Sequence, residues 1–365
     1  MLQPNRAVDK IAPCAHGGID HDELKRLGIS PETMLDFSVS CNPFGPPPNV
    51  TEALAHTRID CYPDSTSSSL RQVLATKLNT SPENIIIGSG STELIRLLAI
   101  AYFGQKDTVL IPQPVYGEYE ISCRLLGAQV LKQTALPEKV FKPDIAETID
   151  LIRKHKPKAI FLCNPNNPTG QYLTRAEMLN IMSNMQDGLV ILDEAYIAFT
   201  RDAWSSVDLI HNDNVVIVRS MTKDYALTGL RLGYAIATEQ IISTLNKVKP
   251  PWNVSTPAQE AGDIALYADN YLEECNSRIQ EAKDFLTKEL ESLGLSPMPS
   301  QTNFFLVKVG NATEFRRSLL KYGILIRDCT SFGLPDYIRL APRTLSECHR
   351  LLAAIRKAGV HAHVS

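Results

Sequence analysis

The chain has 365 residues, 44% hydrophobic and 21% charged, with a formal net charge of −3. That length accommodates a large domain and a smaller one, and the evenly mixed charge lacks the basic stripe that a nucleic-acid partner requires. The longest apolar runs are far too short to cross a bilayer, and Met1 to Ile11 shows no apolar signal segment, so a cytoplasmic location is expected.

Residues 1–48 read as an irregular arm over a surface, carrying His16-Gly17-Gly18 and the cluster Pro46-Pro47-Pro48. From 49 to 245, short apolar runs alternate with helical patterns. The apolar runs 84–87, 109–111, 159–163, 190–192, 215–218 and 234–237 are continuous rather than alternating. This predicts an α/β fold, a mostly parallel sheet with helices on both faces. Ligands of such sheets bind at the carboxyl ends of the strands. Pro250-Pro251 breaks the pattern and predicts the domain connection. Residues 257–293 read as one long charged helix or two abutting ones. Strand-like runs (304–309, 324–327, 337–340) then alternate with helical ones (312–322, 345–357), which predicts a small α+β domain over 246–365, joined by the arm. The eight cysteines form no CxxC pair and the eight histidines are scattered, so neither disulfide framework nor metal site is expected. His361 and His363 fall in a tail expected to be disordered.

Chemistry concentrates just past the apolar runs. Ser220-Met221-Thr222-Lys223 follows Val215–Val218, which places an amine beyond the end of a buried strand. An amine there is suited to condensing with an aldehyde. The same string fits the S-x-x-K of penicillin-recognising serine enzymes, but their S-D-N and K-T-G elements are absent. Gly88-Ser89-Gly90 lies between a strand and a helix, so Gly90, Ser91 and Thr92 form an anion site suited to one phosphate. It misses the dinucleotide fingerprint because Glu93 takes the third glycine's place. Asp193 closes a buried run, and a buried carboxylate requires a cationic partner. Asn167-Pro168-Thr169-Gly170 by itself is a turn, and Tyr116 by itself a core tyrosine.

Taken in order, Gly88 to Glu93, Asn167 to Gly170, Asp193 to Tyr196 and Ser220 to Lys223 with Arg231 resemble the pyridoxal-phosphate enzymes of the aspartate aminotransferase fold. The resemblance implies fold type I, with a seven-stranded large-domain sheet. It implies pyridoxal 5'-phosphate in Schiff-base linkage to Lys223, its phosphate held by Gly90, Ser91, Thr92, Ser220 and Arg231. Asp193 would face the pyridine nitrogen, Tyr196 and Asn167 the ring hydroxyl, and Tyr116 the ring's flat side. Tyr62, before Pro63, matches the tyrosine that reaches the phosphate from a neighbouring subunit, so a homodimer with shared sites is implied. Arg339 would clamp the substrate carboxylate, and Arg327 on an adjacent element suggests a second anionic group.

The segments His16-Gly17-Gly18, Leu27 to Pro31, Leu35 to Ser38, Asn42 to Gly45, Ile326 to Cys329 and Arg339 to Thr344 look like those of threonine-phosphate decarboxylases. Those enzymes make aminopropanol phosphate for cobalamin. The resemblance puts His16 and Arg327 on the substrate phosphate. Where that pattern has an asparagine near the phosphate this chain has Ser40, whose shorter side chain leaves serine phosphate as a further substrate. Histidinol-phosphate aminotransferases share the cofactor motifs, so transamination is the alternative. Whichever Cα bond stands perpendicular to the cofactor ring breaks, a carboxylate giving loss of CO2 and a C–H giving transamination. A non-catalytic relative or a regulator is the third reading. The arm carries no helix-turn-helix, and both Lys223 and Asp193 are present.

Overall fold

The computed structural model describes residues 7–9, 11–268 and 270–359; most of the leading segment, His361 and His363 lie outside them. Seven strands form the large sheet, in the order Ile85–Gly88, Gly233–Ile236, Val215–Ser220, Leu189–Asp193, Ala159–Cys163, Thr108–Gln113 and Gln129–Thr134. All six apolar runs are strands. The seventh, Gln129–Thr134, is an edge strand of which only Gln133 is buried, so its sequence carries no continuous apolar run. The sheet is parallel except for Gly233–Ile236, which runs antiparallel to both neighbours.

Strand side chains alternate between two faces, and each face has its own core. Ile160, Leu162, Val190, Leu192 and Ile217 pack on one side; Phe161, Ile191, Val216 and Val218 pack on the other. Apolar burial on both sides explains why these strands show no polar alternation.

The predicted domain boundary after residue 245 does not match the packing. Beyond the prolines, the helix Thr256–Leu266 returns to the large sheet, and Ala258, Ala261, Ala265 and Leu266 join Leu70, Leu74 and Leu232 in its core. The proline pair turns the chain without ending the domain. The next helix, Tyr271–Ser292, carries the chain into a separate core, where Ile279 is buried and Ala282, Leu286 and Leu290 meet Phe305, Phe315 and Leu351. Residues 257–293 therefore form two helices rather than one.

Nor is the arm irregular throughout. Asp20 caps the helix His21–Leu27 by accepting from the N–H groups of Asp22 and Glu23 at 3.0 and 2.9 Å. Leu24 packs with Leu320 and Leu325, and Arg316 pairs with Glu23. The pair Leu35–Asp36 runs parallel to Ile324–Leu325, which ties the arm to the small domain. The run 324–327 is consequently split, since Arg327–Asp328 pairs instead with Tyr337–Leu340 in a four-stranded antiparallel sheet. Among the described residues no helix is long and apolar enough to cross a membrane.

Gly262 sets how closely the returning helix approaches the sheet domain. A Cβ there would lie 2.5 Å from Leu232 Cδ2 and 3.2 Å from Leu70 Cδ1. Overpacking of this kind costs about 1–3 kcal/mol, so Gly262→Val should lower the urea midpoint correspondingly. An unchanged midpoint would show that the helix is not part of that core.

Candidate active site

The loops at the carboxyl ends of the parallel strands enclose a pocket of about 960 Å³, including its open mouth. Its floor begins with the turn after Ile85–Gly88. Gly90 has φ +77°, and a Cβ on it would sit 2.8 Å from Arg231 Nη2. Only glycine lets this guanidinium lie against the turn. The helix Ser91–Tyr102 starts at the same point, with Ser91, Thr92 and Arg231 lining the pocket. Free helix N–H groups beside a guanidinium make an anion cradle. The Tyr116 hydroxyl lies 3.0 Å from Thr92 Oγ1 and its ring lines the wall; burial raises the phenol pKa.

Asp193 is 3% exposed. Its Oδ2 accepts from the Tyr119 hydroxyl at 2.7 Å and its Oδ1 from the Ala195 N–H at 2.9 Å. Burial raises its pKa, and the Tyr119 hydrogen bond opposes that rise. Among the described residues no cation forms an ion pair with it, whereas the next carboxylate, Glu194, has Arg219 at 2.8 Å. Asp193 is thus a buried carboxyl with no ion-pair partner among the described residues, on which the Lys223 charge acts from beyond ion-pair distance; a protonated ligand nitrogen would satisfy it.

Lys223 lies three residues beyond the strand Val215–Ser220 and lines the pocket. Its backbone carbonyl accepts from the Asn42 N–H at 2.8 Å. Ser220 stands behind the wall, its hydroxyl 2.6 Å from Thr222 Oγ1, and Thr222 is the residue that lines the pocket. On the opposite side Arg339 is buried. It donates to Asn167 Oδ1 and, at 2.8 Å, to the Ser38 carbonyl, while its Nε has no partner. Tyr196 lines the same wall, edge-on to Phe304 at 4.9 Å.

The arm forms the roof through residues 14–17. Arg327 donates to the carbonyls of His16 and Ala15 at 3.1 and 2.7 Å and to Ser331 Oγ at 2.7 Å. Burial, then the charge of Arg339, lowers its pKa. A Cβ on Gly17 would fall 2.6 Å from the Ser38 carbonyl oxygen, so the glycine permits this close approach. His16 Nε2 lies 3.7 Å from Glu118 Oε1, and Arg96 holds the other oxygen of Glu118 at 2.8 Å. Ser40 is buried in the wall with an unpartnered hydroxyl. Tyr62 is elsewhere: it is 79% exposed and stacked on Trp252 at 4.3 Å. It is not among the residues that line the pocket.

The sequence model described as aminotransferase class I and II matches residues 32–355. This chain belongs to that family. It is 32% identical to a histidinol-phosphate aminotransferase of Moorella thermoacetica over 96% of this chain and 92% of that one. It is 36% identical to the adenosylcobalamin biosynthesis bifunctional protein CobDQ of Leptospira interrogans, over 93% of this chain and 40% of that one. Among solved structures, the L-threonine-O-3-phosphate decarboxylase of Porphyromonas gingivalis superposes with a TM-score of 0.78 at 28% identity, covering 88% of this chain and 98% of that one. Pyridoxal 5'-phosphate is the cofactor of this aminotransferase fold. The pocket fits it: an anion cradle, a buried carboxylate lacking a cation, a tyrosine face and a lysine share one cavity.

Several residues of this aminotransferase-family site escape a reading of the sequence. Tyr119 and Thr222 line the pocket unforeseen, as do Cys14 and Cys163. Donor atoms of Cys14, His16 and Glu118 converge within 4.8 Å, which spacing along the chain cannot reveal. Arg96 already holds that carboxylate, and burial and then the Glu118 charge raise the Cys14 thiol pKa against the opposing Arg327 charge. A fully buried tyrosine needs a partner for its hydroxyl; that rule marks Tyr119 without identifying Asp193.

Asp224, next to Lys223, accepts from the Tyr225 N–H at 2.8 Å, and burial pushes its pKa from 3.8 up to about 7. The unfolded chain ionises near the ordinary value, while the folded chain holds its proton until about pH 7. The stability associated with this group is therefore present below its unfolded pKa and is lost as pH rises through about 7. Asp224→Asn should remove that slope, its thermal midpoint gaining on the parent from mildly acidic to neutral pH and then running parallel. Equal midpoint differences across this range would refute the buried-acid assignment.

Proposed function

We propose that this protein is a pyridoxal-phosphate-dependent lyase that decarboxylates L-threonine O-3-phosphate to (R)-1-aminopropan-2-yl phosphate for cobalamin synthesis. The observation that carries the reading is the pairing of two arginines. Arg327 and Arg339 are cross-strand partners, and both line the pocket that contains Lys223, beneath the folded arm. Two fixed guanidinium groups suit a substrate with two anionic groups. The likeness to the CobDQ protein and to the decarboxylase structure supports the same choice.

Pyridoxal phosphate supplies an aldehyde for amines and a ring that withdraws electrons from the substrate Cα. Gly90, Ser91, Thr92, Thr222 and Arg231 would hold its phosphate, with Ser220 supporting Thr222 from behind. Asp193 would face the ring nitrogen, Asn167 and Tyr196 the ring hydroxyl, and Tyr116 the ring face. Lys223 would be the residue that bonds the cofactor's aldehyde carbon, since its amine lines the same pocket. Arg339 binds the substrate carboxylate, while Arg327, His16 and Ser40 bind its phosphate. Arg327 and Arg339 would hold the substrate at both ends and so restrict its rotation. The Lys223 amine would be the group that supplies a proton to the substrate Cα. Histidinol-phosphate transamination is the second reading, favoured by the relative at 32% identity.

Holoenzyme given threonine phosphate without a keto acid should release CO2, with serine phosphate as the comparison substrate. Lys223→Ala should release none. Removing one partner of a buried, charge-assisted contact costs about 2–5 kcal/mol. Arg327→Ala, at a buried guanidinium, should therefore lower kcat/KM at least about tenfold, and His16→Ala, at a side chain 53% exposed, should lower it by less, with the cofactor absorbance unchanged in both. No CO2, together with glutamate formed from histidinol phosphate and 2-oxoglutarate, would assign the protein to the aminotransferases.

The homodimer belongs to the same proposal, because Tyr62 can reach a cofactor phosphate only from a second copy. Sedimentation should give a dimer at assay concentration. A monomer with full activity would exclude the shared site.

A further inference from the structure

We propose that Tyr119 is a positioning residue for the cofactor, holding Asp193 ionised and aimed at the ring nitrogen without neutralising it. The inference rests on the cofactor reading of Asp193 and is independent of which substrate is turned over.

Tyr119 is the second residue of the helix Glu118–Leu125 and is fully buried. Its ring stacks on Phe161 with centroids 4.7 Å apart and planes 6° apart, and Tyr116 meets it edge-on at 5.6 Å. Two neighbouring rings thus fix the direction of its hydroxyl. That hydroxyl reaches Asp193 Oδ2 at 2.7 Å, and Ala195 N–H takes Oδ1 at 2.9 Å. Each carboxylate oxygen has one donor, so the group's plane is set before any ligand arrives.

The chemical type of the donor matters. An arginine or lysine at this position would neutralise the carboxylate, as Arg219 does for the adjacent Glu194. A phenol stabilises the negative charge through a hydrogen bond and leaves it uncancelled. Burial and the neighbouring Asp193 charge raise the Tyr119 pKa well above its ordinary value, so the proton stays on the phenol. A carboxylate this deeply buried otherwise favours its neutral, protonated form, which cannot pair with a pyridinium. Tyr119 therefore keeps the charge available for one incoming cation.

Tyr119→Phe retains the ring stack and deletes only the hydroxyl. A hydrogen bond to a charged group, when lost, weakens the dependent equilibrium by about ten- to a hundredfold. The dissociation constant of pyridoxal phosphate, measured by titrating the apo-protein, should rise by that factor in Tyr119→Phe. The analogue with C–H in place of the ring nitrogen should bind parent and variant alike, since it offers Asp193 no cation. In an Asp193→Asn background, Tyr119→Phe should cause no further loss. Equal weakening of both ligands, additivity with Asp193→Asn, or unchanged cofactor affinity would each overturn the inference and make Tyr119 a packing residue. If Asp193→Asn itself leaves cofactor affinity intact, the cofactor reading falls and this inference with it. Loss of CO2 release alone, with these affinities as expected, would count only against the substrate assignment.

Discussion

The site is organised around a carboxylate buried without a cation of its own. Asp193 ends a strand whose five residues are all buried, and an unpaired charge in such a place is destabilising unless other groups hold it. Here a phenol and a backbone N–H hold it. The neighbouring strand contributes Glu194's partner, Arg219, on the same strand as Ser220. Two adjacent carboxylates therefore differ: Glu194 is ion-paired with Arg219, and Asp193 is held by hydrogen bonds alone.

This arrangement depends on the parallel sheet. Parallel strands release their side chains from the same edge, and the turns after Ile85–Gly88, Ala159–Cys163, Leu189–Asp193 and Val215–Ser220 converge there. The strand Gly233–Ile236 is the exception. Running antiparallel, it begins at this edge, which places the preceding Arg231 against Gly90. The reversal of one strand thus brings the guanidinium to the anion cradle.

The second half of the site comes from the small domain and the arm. Arg339 spans the two domains, donating to Asn167 Oδ1 and to the Ser38 carbonyl. Arg327 secures the roof through the carbonyls of Ala15 and His16. A ligand anion that engages Arg327 must share or displace these contacts, so binding and the position of the arm are linked. Ser40, with an unpartnered buried hydroxyl, is a further donor in the same wall.

Much of this was legible without coordinates. Continuous apolar runs specified both-face burial, hence the mostly parallel sheet, and motifs just beyond those runs located Lys223, Asp193, Asn167 and the Gly90 turn, because strand ends are where such sheets bind ligands. The polar edge strand Gln129–Thr134 was illegible because only one of its residues is buried. The domain boundary was misplaced because prolines report a local turn, whereas membership of a core depends on where Ala258 and Gly262 pack. Tyr119's partner lies 74 residues away, and the convergence of Cys14, His16 and Glu118 joins an arm to a helix about a hundred positions on. Which strands are buried and which side chains stand at their ends follow from local pattern along the chain. Tertiary structure alone decided which charges meet, because that is set by how distant segments pack.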